Sequence, residues 1–195
     1  MEDREALELL WDTSIPEMPG LGLAKIVEAA TAGEVKSLFL IGDSANFSNG
    51  KLGDGLAALD NLEFLVVCDT FLSATAQRAD VVLPRATFAE KDGTFTNLER
   101  RIQRLTPGRE LLEEGARSEG RVICEVARKM GAPGFLLSSS SEIMDEIARV
   151  APIYTNVSYR TLANQGGLVF KTDLKLSLIL ISAPTSRYAI SYAVF

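Results

Sequence analysis

Apolar positions near the start of the chain recur at helical intervals. Leu7, Leu10 and Trp11 share one side of the segment from Glu2 to Trp11, which predicts a short helix ended by a loop with Pro16, Pro19 and Gly20. Ile26, Val27, Ala29 and Ala30 repeat the spacing from Leu23 to Ala32, and Gly33 follows where a left-handed cap is wanted. The pattern then changes. Ser37 to Ile41 is a continuous apolar run, which suits a strand buried on both faces of a parallel sheet, and Leu62 to Val67 repeats it. Between them, Leu52 to Leu59 keeps helical spacing despite its glycines, giving a strand, helix, strand unit. A helix around Thr75 to Ala79 and a third strand, Asp80 to Leu83, complete this half, with Pro84 as the stop.

Farther on, Glu90 to Asn97 is polar and turn-rich, and Ile102 to Leu105 reads as a further strand. Ser118 to Met130 predicts an amphipathic helix with Val122, Ile123, Val126 and Met130 inward, ending at Gly131. Ser139 and Glu142 have the spacing of a capping box, which opens a helix with Ile143, Ile147 and Val150 on one face, closed before Pro152. Alternating strands and helices imply an α/β layered fold with a mostly parallel sheet flanked by helices, and a helical C-terminal extension. The expected organisation is an α/β domain over 1–134, a helical extension of the same domain over 135–170, and an unassigned tail over 171–195.

Composition narrows the function. With 195 residues, 47% hydrophobic and 24% charged, the chain can bury one core, so a globular domain is the expectation. A net charge of -6 offers no basic stripe for phosphates, which argues against a nucleic-acid partner. Met1 to Leu10 carries four acidic residues instead of the basic start of a signal peptide. The longest apolar run, Leu176 to Ala183, is broken by serines and too short to span a bilayer, so a cytoplasmic protein without direct membrane insertion is expected. There is no histidine, which removes Ser-His-Asp and Cys-His nucleophile systems and the usual general base. Cys68 and Cys124 cannot make a four-ligand cluster, lack the spacing of a redox pair, and sit among apolar neighbours, where a cysteine acts as a small hydrophobe.

In an open parallel sheet, ligands bind outside the carboxyl ends of the strands. The loops of interest are therefore Gly42 to Ser48, Asp69 to Thr75, and the segment after Pro84. Gly42 would let backbone approach a ligand, and Asp43, Ser44, Asn46 and Ser48 offer donors and acceptors beside it. Asp69 is placed to accept from ribose hydroxyls or from the N1 and N2 edge of a guanine. The same residues would also suit an ordinary solvated loop. Gly20-Leu21-Gly22 does not follow a strand and lacks a third glycine, and Gly50-Lys51 precedes leucine, so neither is a phosphate-binding motif. Glu90, Asp92 and Glu99 are interleaved with Lys91, Arg100, Arg101 and Arg104, the pattern of a mixed-charge surface.

Specific words carry the rest. Leu62 to Leu72, reading LEFLVVCDTFL, continues through Thr75-Ala76 to Ala79-Asp80-Val81-Val82-Leu83-Pro84, and Phe88 to Arg104 follows, reading FAEKDGTFTNLERRIQR. This pair of segments resembles the hallmark region of the molybdopterin oxidoreductases, a family that includes formate dehydrogenase large chains and the large iron-sulfur subunit of NADH-quinone oxidoreductase. Weaker echoes extend the resemblance over about Arg4 to Phe170. It implies a dinucleotide-binding-like half of a clamp around a molybdopterin guanine dinucleotide. The contacts to the guanosine and phosphate end then fall on Gly42, Asp43, Ser44, Ser48, Cys68, Asp69 and Arg85, with Glu119 as the counterpart of an acidic residue near the later helix.

Departures accompany the likeness. Asp43-Ser44-Ala45 lacks the family's proline and amide, Cys68 replaces a glutamine, Ser73-Ala74-Thr75 stands for Thr-Glu-Thr, Arg85 for a small residue, and Gly120 for a tryptophan. Each removes a contact, and a lost polar contact to a buried ligand costs about 1 to 3 kcal/mol. The family's iron-sulfur cysteines, its metal-ligating residue, the other half of the clamp and a C-terminal β-rich domain have no counterpart in the chain. No catalytic residue and no metal ligand is therefore assigned. The resemblance implies one of two roles: the nucleotide-holding part of a formate dehydrogenase-like electron-transfer enzyme, or a structural domain of NADH-quinone oxidoreductase without molybdenum. Either implies the remaining domains or subunits as partners. An inactive truncated product is the third expectation. Lys171 to Phe195 resembles nothing in the family and has no acid after Asp173, which suits either a frameshifted tail or an ordinary terminal strand.

Overall fold

A computed structural model describes residues 2–42, 54–108 and 116–169. The described residues divide into two compact units, one formed within 16–87 with 116–119, the other by 2–15, 88–108 and 120–169. The tail over 171–195 lies outside the described residues.

In the first unit the apolar runs pair as a parallel sheet. Strands β1 (Ser37–Ile41), β2 (Phe64–Asp69) and β3 (Val81–Pro84) lie in the order β1-β2-β3, both pairs parallel. Leu38, Leu40, Leu65 and Val67 share one face by register, and that face packs on helix α2 (Leu23–Thr31) and helix α3 (Gly55–Leu59). Ala30 and Ala58 are almost fully buried at this contact, since small side chains let the helices approach the sheet. Gly33, with φ +74°, takes the left-handed position after α2.

The other face corrects the expectation of strands buried on both sides. Phe39, Val66 and Val81 stand in line across the three strands, and Phe39 and Val81 are 38% and 39% exposed, with Phe64 at 46%. Both α2 and α3 pack on the opposite face.

The strand limits also shift, for a local reason. Asp80, expected as a strand residue, is an anchor: its Oδ2 accepts from Leu65 N at 2.7 Å while its own N–H donates to Leu65 O at 2.9 Å. Both bonds tie the entry of β3 to the start of β2, so β3 begins one residue later. Leu62 and Glu63 precede β2, with Glu63 N and Phe64 N both donating to Lys36 O. The helix expected over Thr75 to Ala79 is a single 3-10 turn, Ala76–Arg78, because Ala79 must be extended (ψ 142°) to deliver Asp80.

The second unit holds an antiparallel sheet of β4 (Gly93–Thr96), β5 (Arg101–Leu105) and β6 (Leu168–Val169), in that order. β4 replaces part of the expected turn-rich stretch. Its alternation is real but spans four residues, with Thr94 buried and Phe95 exposed. Asn97 closes the hairpin, its Oδ1 accepting from Arg101 N at 2.9 Å. Helix α1 (Glu2–Trp11) meets α5 (Ser140–Val150) through Trp11 Nε1, which donates to Glu146 Oε1 at 2.9 Å. The expected capping box is present on α5: Ser139 Oγ accepts from Glu142 N, and the Glu142 side chain returns to Ser139 N.

Ile102, Met144, Val157, Tyr159 and Leu162 form the core of this unit, with α6 (Tyr159–Gln165) supplying two of them. Met144 was not among the positions expected inward. Helix α4 (Glu119–Lys129) buries Val122 and Cys124, whereas Met130, expected inward, lies beyond its last turn and is 80% exposed. Arg104 makes two hydrogen bonds to Asp92, at 3.1 and 2.9 Å, and its guanidinium lies 4.9 Å from the centroid of the Tyr159 ring. Ser140 Oγ donates to Asp92 O at 3.0 Å, so one residue binds both the hairpin and α5.

Two predictions follow from these contacts. Asp80→Ala leaves the buried Leu65 N–H without its acceptor and is expected to cost about 1 to 3 kcal/mol in urea unfolding, while Asp80→Asn, which keeps an acceptor oxygen, costs less. Burial, and next the Asp92 carboxylate, push the Tyr159 hydroxyl up to about 12. The folded state therefore holds that proton more tightly than the unfolded chain, whose tyrosines titrate near about 10. Its contribution is complete below that pH and is lost as pH rises through the folded value. Melting temperatures measured across this alkaline window should fall more steeply for the wild type than for Tyr159→Phe.

Candidate functional site

Because β1, β2 and β3 run parallel, their carboxyl ends share one edge. The ladder continues one residue past the outer strands: Gly42 N donates to Cys68 O at 3.0 Å, and Arg85 N donates to Asp69 O at 3.0 Å. Gly42 and Arg85 thus flank the end of the central strand, two strand spacings apart, or about 10 Å. Three of the residues expected at the site are brought together by this row: Gly42, Asp69 and Arg85.

A fourth arrives from the far side. Arg85 forms an isolated parallel bridge with Arg117, in which Arg117 N donates to Pro84 O and Ala86 N donates to Arg117 O. Two residues later Glu119 opens α4, and its Oε1 lies 3.2 Å from Arg85 Nε. Both side chains are largely buried, at 25% and 15% exposure. The approach is too oblique for a hydrogen bond, so the buried Arg85 Nε–H has no aligned acceptor.

Gly42 has φ +68°, a conformation that favours glycine, and a Cβ built there would fall on Arg85 Nη1, with Cζ at 3.0 Å. The close approach that glycine permits is thus made by the protein's own guanidinium. Since Gly42 and Arg85 sit on the outer strands, the arginine side chain must cross the end of β2 to reach it.

Asp69 is turned into its own loop. Its Oδ1 accepts from Thr70 N at 2.7 Å and its Oδ2 from Ser73 Oγ at 3.0 Å, while Ser73 Oγ also accepts from Ala76 N. Ser73 was missed as a positioning residue, although an acid followed four residues later by serine at a strand end is a local turn signal. Cys68, in register with Leu83, has its side chain fully buried. Asp43, Ser44 and Ser48 lie outside the described residues. Asp92 serves Arg104, as the mixed-charge pattern suggests, and among the described residues no group of three or more His, Cys, Asp or Glu could hold a metal ion.

The molybdopterin oxidoreductase family model matches residues 7–129. This chain belongs to the molybdopterin oxidoreductase family. Among its relatives is "Probable oxidoreductase YjgC" of Bacillus subtilis (strain 168), 39% identical over 165 residues, or 85% of this chain and 16% of that protein. "Putative formate dehydrogenase SAB2186c" of Staphylococcus aureus (strain bovine RF122 / ET3-1) is 44% identical over 138 residues, covering 71% and 14%. The molybdopterin oxidoreductase chain therefore spans about one sixth of the length of these relatives. Acetylene hydratase from Pelobacter acetylenicus shares the fold, with a TM-score of 0.63 at 22% identity over 87% of this chain and 24% of that one. No helix among the described residues is long and apolar enough to cross a membrane.

Gly42→Ala is expected to destabilise the chain by more than the about 1 to 2 kcal/mol that a left-handed backbone costs a residue with a Cβ, because the guanidinium must also move. Combined with Arg85→Ala, the steric part disappears, so the double variant should be more stable than the sum of the single losses. Denaturant unfolding of the four proteins checks this, and strict additivity would refute it.

Proposed function

We propose that this domain holds the guanine nucleotide end of a molybdopterin guanine dinucleotide in a formate dehydrogenase-like oxidoreductase. The observation that carries the proposal is the row of Gly42, Asp69 and Arg85 at the carboxyl edge of the parallel sheet, where ligands of open α/β sheets bind. The donor set suits the nucleotide end: a carboxylate for the guanine N1 and N2 edge, and a guanidinium beside a glycine for the anionic part. When bound, the cofactor supplies the redox chemistry at its metal. The chain's own part is to bind and orient. Asp69 is braced by Thr70 N and Ser73 Oγ, and Glu119 holds Arg85 beside the strand ends. The remaining domains or subunits of the oxidoreductase would carry any iron-sulfur ligands and the substrate site, on the cytoplasmic side of the membrane.

One observation favours a second reading. The space above Gly42 is filled by Arg85, which suits a domain that keeps the fold in NADH-quinone oxidoreductase without molybdenum. Titration of the chain with guanosine, adenosine and cytidine separates the two. The cofactor reading expects saturable binding with guanosine preferred, and Asp69→Asn should reduce that preference about tenfold, the scale set by a charged hydrogen bond. Absence of any guanosine binding would overturn it.

A further inference from the structure

We infer that the open edge of β1 is a docking strand for a second copy of this chain. The contact uses the backbone of β1 rather than the strand ends, so it stands apart from the nucleotide reading. Lys36 O accepts from Phe64 N and Gly42 N donates to Cys68 O, so the even-numbered positions turn their backbone groups toward β2. Alternation along the strand then turns the N–H and C=O of Ser37, Phe39 and Ile41 to the other side. β1 ends the sheet on that side, and among the described residues none of these groups has a hydrogen-bond partner. The opposite edge differs, because β3 continues into the bridge between Arg85 and Arg117.

Such an edge is a template for another strand unless the sequence guards it with a charge, a proline or a bulge. β1 reads Ser-Leu-Phe-Leu-Ile and has none of these, since every residue pairs with β2 in unbroken register. A second copy is the occupant that the symmetry of the edge favours. In an antiparallel pair about a twofold axis through Phe39, Ser37 of each copy meets Ile41 of the other, and the two Phe39 residues exchange both bonds. The outward groups are therefore donors and acceptors to their own image. Charge does not oppose the approach: the strand carries none, and Lys36 at its start is bridged to Glu63 at 2.7 Å. Phe39, 38% exposed, gains an aromatic neighbour on the same face of the sheet, with the two Cα atoms about 5.5 Å apart. The two three-stranded sheets then run on as one.

Sedimentation equilibrium of the full chain tests this, beside Ser37→Pro, Phe39→Lys and, as a control elsewhere on the surface, Leu98→Ser. Circular dichroism melts show that each variant is folded. Ser37→Pro removes one outward N–H at the first residue of the strand, where proline is tolerated. Phe39→Lys sets two like charges opposite each other at the axis, and decides alone if Ser37→Pro does not fold. Leu98, 91% exposed between β4 and β5, is an apolar side chain open to non-specific contact. The wild type should form a reversible dimer and nothing larger. Ser37→Pro and Phe39→Lys should each weaken it at least about tenfold, and Leu98→Ser should leave it unchanged. Hydrogen exchange at the amides of Ser37, Phe39 and Ile41 should slow as the protein concentration rises. A wild type that stays monomeric, or that grows beyond two copies, would overturn the proposal. So would a dimer that folded Phe39→Lys keeps at full strength, or one that Leu98→Ser abolishes.

Discussion

The pairing of β2 with a parallel strand on each side is the interaction on which the candidate site depends. A side chain at a strand end is placed by the ladder behind it, and here the ladder runs past the outer strands to the amides of Gly42 and Arg85. A slip of one residue in either pair would send the neighbouring side chains to the opposite face of the sheet. Asp80 guards against that slip at the other end of β3, by holding both the N–H and the C=O of Leu65. The anchor and the candidate site lie at opposite ends of the same strand, so the contact of Asp80 with Leu65 fixes where Arg85 begins.

The polar groups at the strand ends are held by the protein's own contacts. Asp69 is held by its own turn, Glu119 sits on the first turn of α4, and Arg85 spans the gap between the outer strands. Pre-positioned charges lower the ordering cost of binding, because side-chain entropy has already been lost on folding.

Much of the first unit was legible in the chain, because continuous apolar runs with turn residues between them have few other readings. β1 has the limits the pattern predicts, and the capping box at Ser139 was visible as a spacing of three. What could not be read depended on contacts distant in sequence. The two-sided burial expected for the strands fails on the face of Phe39 and Phe64, since a run of apolar residues does not say whether a second layer covers it. β4 was hidden because four residues give too little alternation to separate a strand from a turn. At the site, the strand-end rule located Gly42 and Asp69, and family words added Arg85 and Glu119. Neither foretold that Arg85 would lie against Gly42, a contact made across the end of another strand.

The exposed side chains of Phe39, Phe64 and Val81 have a practical outcome for the isolated chain. Apolar area left in water by the fold still gains from burial, at about 25 cal/mol per Å², and a second molecule is the nearest source of cover in a concentrated solution. Loss of monomer through that face would make the apparent melting temperature drift with protein concentration. Dilution series therefore belong beside any stability value measured on this chain, to separate cohesion within one molecule from attachment between two.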